Sequence, residues 1–106
     1  RKIAMSRMMQ DVPKADVIIT NPTHIAVAIK YDKELYDAPY VLAKGVDLIA
    51  ENIKKVGKEH SVPVVENKPL AKTLYDTVEI GNLVPVELYE AIAEVLAYVY
   101  SLKDNY

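Results

Sequence analysis

Cysteine is absent from the 106 residues, which removes disulfide bonding, thiolate metal ligation and a thiol nucleophile together. Glycine is scarce, and the three present stand alone at Gly45, Gly57 and Gly81, so no glycine-rich loop exists to cradle a phosphate. Neither sign of charge dominates: 13 basic residues face 15 acidic ones, which leaves no global field to draw in nucleic acid. No apolar run approaches the about 18 residues needed to cross a bilayer, and no secretory leader is visible. The chain opens on Arg1 rather than methionine, and is read here as a piece of a longer protein. A metal site built from His24 and His60 with Glu59 or Glu66 lacks both a close-set helical pair and any cysteine, so solvated histidines are the better account and no metal or cofactor is expected.

What is present is ordinary for one globular domain, at 51% hydrophobic and 26% charged residues. The run RKIAMSRMMQDV reads as a helix ending before Pro13. Residues 16–20, 25–31, 39–44 and 62–66 are rich in β-branched or apolar residues and read as strands, with Pro39 placing the third at an edge or a strand start. From Val46 the apolar positions Val46, Ile49, Ile53 and Val56 recur at the spacing of one helix face. Asn67 offers a cap and Pro69 a first turn for a short helix to about Val78, and residues 86–102 read as a final helix. Strands alternating with helices predict an α/β fold: a small mixed four-stranded sheet packed with about four helices, in a single domain.

The hairpin signal between VII and IAVAI is TNPTH, residues 20–24, and it holds no glycine. Two-residue hairpins favour Asn-Gly or Asp-Gly because their central residues need positive φ, which Pro22 cannot adopt. Asn-Pro also has a chemistry of its own. The nitrogen of Pro22 carries no hydrogen, so it cannot attack the Asn21 side chain. The reverse cyclisation remains open: the side-chain nitrogen of Asn21 attacks its own backbone carbonyl, closes a succinimide and expels the Pro22 nitrogen. Most Asn-Pro dipeptides are turn initiators and stay intact, so the reaction needs a turn that aligns the amide and donors for the oxyanion. Thr23 reads as a turn hydrogen-bonder, and His24 as an exposed imidazole or as a proton donor to the leaving nitrogen.

The run MMQDVPKADVIITNPTHIAVAIKYD, followed by APYVLAKG, EHSVPVVENKPLAKTLYD and EIGNLVPVELYEAIAEVLAYVY, resembles the cytoplasmic domain of the FlhB/YscU family over nearly the whole chain. That family comprises inner-membrane components of flagellar and virulence type III secretion systems, and its cytoplasmic domains self-cleave after the Asn of an NPTH motif. The motif is complete here, and KADVIITNPTH with EIGNLVP is most like the flagellar branch. The resemblance implies a single-turnover self-cleavage at Asn21, Pro22, Thr23 and His24 that switches export from rod and hook to filament substrates. An injectisome homologue, switching needle to translocator export, and an uncleaved docking module for substrates and chaperones are the alternatives. Implied partners are export substrates, other export-apparatus components and the domain's own cleaved fragment, with the parent at the cytoplasmic face of the bacterial inner membrane.

On this reading residues 1–14 form a linker helix from a missing membrane part, and residues 15–106 the self-cleaving cytoplasmic domain. Arg1, Lys2, Arg7 and Lys14 read as a solvated helix face, or as charges drawn to the inner leaflet if a membrane segment lies upstream. The final helix is apolar on more than one face: Leu88, Ile92, Val95, Val99 and Leu102 can form a buried stripe, leaving Tyr89, Ala93, Leu96 and Tyr100 partly uncommitted. Together with an edge at Ala38, Pro39 and Tyr40, able to pair with an extended peptide, Ala93 and Leu96 make a candidate docking groove for export substrates.

Overall fold

Strands apolar on both faces need cover on both faces, and this sheet has it. The computed structural model describes residues 2–104 in the order α1 (Lys2–Asp11), β1 (Val17–Asn21), β2 (Ile25–Lys30), β3 (Tyr40–Val46), α2 (Asp47–Glu59), β4 (Val64–Glu66), α3 (Lys68–Thr77) and α4 (Tyr89–Asp104). Short 3-10 turns at Val12–Lys14 and Val86–Leu88 follow α1 and precede α4. The strands lie in the order β3-β2-β1-β4, with β1 antiparallel to β2 and parallel to β4, and β2 antiparallel to β3. One mixed four-stranded sheet with four helices is therefore the architecture. Arg1, Asn105 and Tyr106, at the two ends of the expected linker and domain, lie outside the described residues.

Alternation along β1 divides the core in two. Val17 and Ile19 join Val27, Ile29, Leu70, Leu74, Ile92 and Val99 beneath α3 and α4. Ile18 faces the other way, with Ala26, Ala28, Ala43 and Ile53 beneath α2. The alanines on that face let α2 lie close to the strands. Met8 and Val12 are buried in the same cluster, so the segment expected as a linker contributes side chains to the core. Asn67 caps α3 as its position suggests, its side-chain oxygen accepting from the Leu70 N–H at 3.2 Å.

Three expectations change. Val46 belongs to β3, where it pairs with Ile25, and α2 starts one residue later at Asp47; a β-branched residue suits the end of a strand as well as a helix face. In α4 the buried stripe is Ile92, Val95, Leu96 and Val99, so Leu96 is committed to the core while Leu102 is 47% exposed. Those four positions follow the three-to-four spacing of one face, and the apolar layer ends before Leu102 is reached. Finally, the β3 edge near Pro39 is already occupied. The Gly81 N–H donates to Val41 O at 2.7 Å, the Val41 N–H to Asn82 O at 3.1 Å and the Val84 N–H to Pro39 O at 2.7 Å. The loop after α3 thus takes the backbone groups that an added peptide strand would need.

Candidate functional site

The Asn-Pro turn joins the two central strands of the sheet. Asn21, the last residue of β1, pairs with Ile25, the first of β2, so Pro22, Thr23 and His24 alone make the reversal. Among the described non-glycine residues only Asp47 and Ser61 have positive φ, so the turn closes without a left-handed residue. Its closing hydrogen bond runs from the His24 N–H to the Asn21 carbonyl oxygen at 3.0 Å. Pro22, Thr23 and His24 are exposed, whereas Thr20 just before them is buried and its carbonyl accepts from the Asn67 N–H at 2.9 Å. A rigid strand pair thus ends in a tight, water-accessible turn.

Each side chain of the motif has a definite place. Thr23 Oγ1 donates to Asn21 Oδ1 at 3.4 Å, a long contact that engages the oxygen end of the amide rather than the nitrogen end. The His24 ring sits with Nδ1 3.6 Å from Asp47 Oδ1 and, among the described residues, makes no hydrogen bond to Asn21 or Pro22. The main chain of His24, rather than its ring, reaches the Asn21 carbonyl oxygen. Helix α2 adds two contacts that sequence reasoning missed: the Asp47 N–H donates to His24 O at 2.9 Å, and Lys54 Nζ donates to Pro22 O at 3.2 Å. Lys54 lies 32 residues from Pro22 in the chain, and no local pattern announces such a pair.

The residues expected as a docking groove are only partly brought together. Pro39, Ala93 and Leu96 line one cleft of about 150 Å³ with Tyr31, Asp37, Tyr89 and Ile92. Ala38 is buried and Tyr40 opens β3, so neither belongs to that lining. Burial pushes the Tyr40 phenol above its usual range, with the Asp32 carboxylate adding to the effect. Its ring meets that of Tyr36 edge-on, centroids 5.1 Å apart. His60 lies at the far end of α2 from the turn, its Nδ1 2.9 Å from Val56 O, and is not joined to His24 in any site.

Fold and turn define a class: a three-layer α/β domain that presents an exposed Asn-Pro reversal between its two central strands. The family model described as the FlhB HrpN YscU SpaS Family matches residues 1–99, and the chain belongs to that family. It is 63% identical over 105 residues to the flagellar biosynthetic protein FlhB of Bacillus subtilis, covering 99% of this chain and 29% of that protein. With FlhB of Salmonella typhimurium it shares 56% identity over 103 residues, 97% of this chain and 27% of the relative. The chain thus spans less than a third of the length of these curated relatives. Its fold matches the crystal structure of the cytoplasmic domain of FlhB from Shewanella putrefaciens with a TM-score of 0.93 at 44% identity, over 95% of this chain and 78% of that one. A crystal structure of the EscU C-terminal domain is similar at a TM-score of 0.85 and 28% identity, covering 92% and 90%. Among the described residues no helix is long and apolar enough to cross a membrane.

Proposed function

We propose that the chain is the cytoplasmic domain of a flagellar export-apparatus protein, and that it cleaves itself once between Asn21 and Pro22 to switch export from rod and hook to filament substrates. In the reaction Asn21 Nδ2 attacks the Asn21 carbonyl carbon and gives up a proton. The carbonyl oxygen takes the negative charge, and the C–N bond to Pro22 breaks as the proline nitrogen gains a proton. A succinimide remains at residue 21 and is opened by water. The observation that carries the reading is the turn's closing hydrogen bond, because the His24 N–H lies 3.0 Å from the oxygen on which that charge develops. The donor is in place before the reaction, so no reorganisation is needed to use it. The flagellar branch is favoured over an injectisome role by the high identity to FlhB. By analogy with these relatives, the parent sits at the cytoplasmic face of the inner membrane, and its partners are export substrates and other components of the apparatus.

Cleavage is read on denaturing gels of the purified domain. The wild-type chain splits without added protease, Asn21→Ala stays whole, Thr23→Ala splits more slowly, and His24→Ala, which keeps the backbone N–H but loses the ring's 3.6 Å approach to Asp47, splits only slightly more slowly. A half-life of minutes to hours corresponds to a barrier of roughly 20 to 23 kcal/mol. Equal splitting in all three variants would point to a contaminating protease and sink the mechanism.

The cleft lined by Pro39, Ala93 and Leu96 supports a second role, docking of export substrates before the switch. Because the loop at Gly81 to Val84 holds the neighbouring strand edge, substrates contact this cleft through apolar side chains rather than by adding a strand.

A further inference from the structure

The turn is held not only by its own strands but by the helix that follows them. Three carbonyls of the reversal have donors: Asn21 O accepts from the His24 N–H, Pro22 O from Lys54 Nζ at 3.2 Å, and His24 O from the Asp47 N–H at 2.9 Å. Two of these donors lie on α2, two helical turns apart. We propose that α2 clamps the leaving side of the scissile bond, with Lys54 as a positioning residue for self-cleavage. The inference rests on the self-cleavage reading above and deepens it.

Three observations point the same way. The Lys54 side chain is 19% exposed, unlike a lysine standing free in solvent, and Glu51 holds its ammonium at 3.0 Å as it spans to the turn. At the other end, Asp47 keeps φ at 52°, a left-handed conformation unusual for a non-glycine residue, and in that conformation its N–H meets His24 O. Between them, the Pro22–Thr23 peptide is fixed to a rigid helix. An intramolecular attack depends on sub-ångström alignment of amide nitrogen and carbonyl carbon, so immobilising the leaving residue narrows the turn to geometries near attack. The ammonium also puts positive charge beside the turn in which negative charge forms.

The test follows cleavage during cell-free synthesis of the folded domain, sampled over time on denaturing gels, with melting measured on each product. Lys54→Met is expected to cleave about tenfold more slowly or worse, and Lys54→Arg to recover most of the rate, since guanidinium also donates to a carbonyl. Lys55→Met removes the same charge from an exposed neighbour on α2 and should cleave as the wild type does. Cleavage of Lys54→Met at the wild-type rate, or equal slowing by Lys54→Met and Lys55→Met, would overturn the inference while leaving self-cleavage intact. A wild-type chain that never splits would instead remove the reading beneath it. Should Lys54→Met melt lower, Lys54→Arg decides: a variant that melts like the wild type yet cleaves as slowly as Lys54→Met contradicts positioning by a donated hydrogen bond.

Discussion

In the proposed self-cleavage Asn21 supplies nucleophile and electrophile from one residue and Pro22 the leaving group, so these two residues set the chemistry while their neighbours set its rate. That much is legible in the dipeptide, because a proline nitrogen without hydrogen closes the competing cyclisation. The role of His24 is less so: its imidazole attracts attention in the sequence, yet the group that reaches Asn21 O is a backbone N–H that any non-proline residue would carry. The cleft proposed for docking makes a similar distinction among single residues. Pro39 and Leu96 are buried, so a charge at either would strain the core as well as the cleft. Ala93 is exposed and lines the same cleft. Ala93→Asp should therefore leave melting and self-cleavage unchanged while weakening binding of rod- and hook-type export substrates, measured by titration calorimetry. Undiminished affinity would remove the cleft from the docking account.

Elements with strong local signals are found where the sequence puts them. The apolar stripe Ile49, Ile53 and Val56 makes α2, and the Asn67 cap with Pro69 makes α3, because periodicity and capping are local physics. What is not legible depends on distant contact. The junction of β3 and α2 shows why: a Cβ on Gly45 would lie 2.8 Å from Ile49 Cβ and closer still to its Cγ2. Only glycine lets the helix turn back this tightly after the strand, and the junction delivers Asp47 to His24. The loop that seals the β3 edge and the reach of Lys54 to Pro22 likewise join segments far apart in the chain. Gly45→Ala should destabilise the domain by about 1 to 3 kcal/mol through overpacking, which for a domain of this size lowers Tm by several degrees. It should also slow cleavage, since α2 carries the clamp. Unchanged melting by calorimetry would show that the junction has slack that the contact distances deny.

For the molecule as a whole, the consequence of a broken turn depends on how β1 is held. β1 is an interior strand, bonded to β2 on one side and to β4 on the other. Val17, Ile18 and Ile19 are fully buried, each worth about 1.5 to 3 kcal/mol of apolar transfer. Met8 and Val12 anchor the same fragment on the α2 side of the sheet. None of these contacts requires the Asn21–Pro22 bond, so the proposed cleavage is expected to alter the exposed turn and its surroundings while the fold persists. One measurement bears on this directly: mass spectrometry of a single incubated sample, first under native conditions and then denatured. The account predicts one non-covalent complex natively, heavier than the intact chain by one water once the imide has opened, that separates on denaturation into residues 1–21 and a fragment beginning at Pro22. A chain that remains one covalent piece on denaturation after long incubation in the folded state would contradict it.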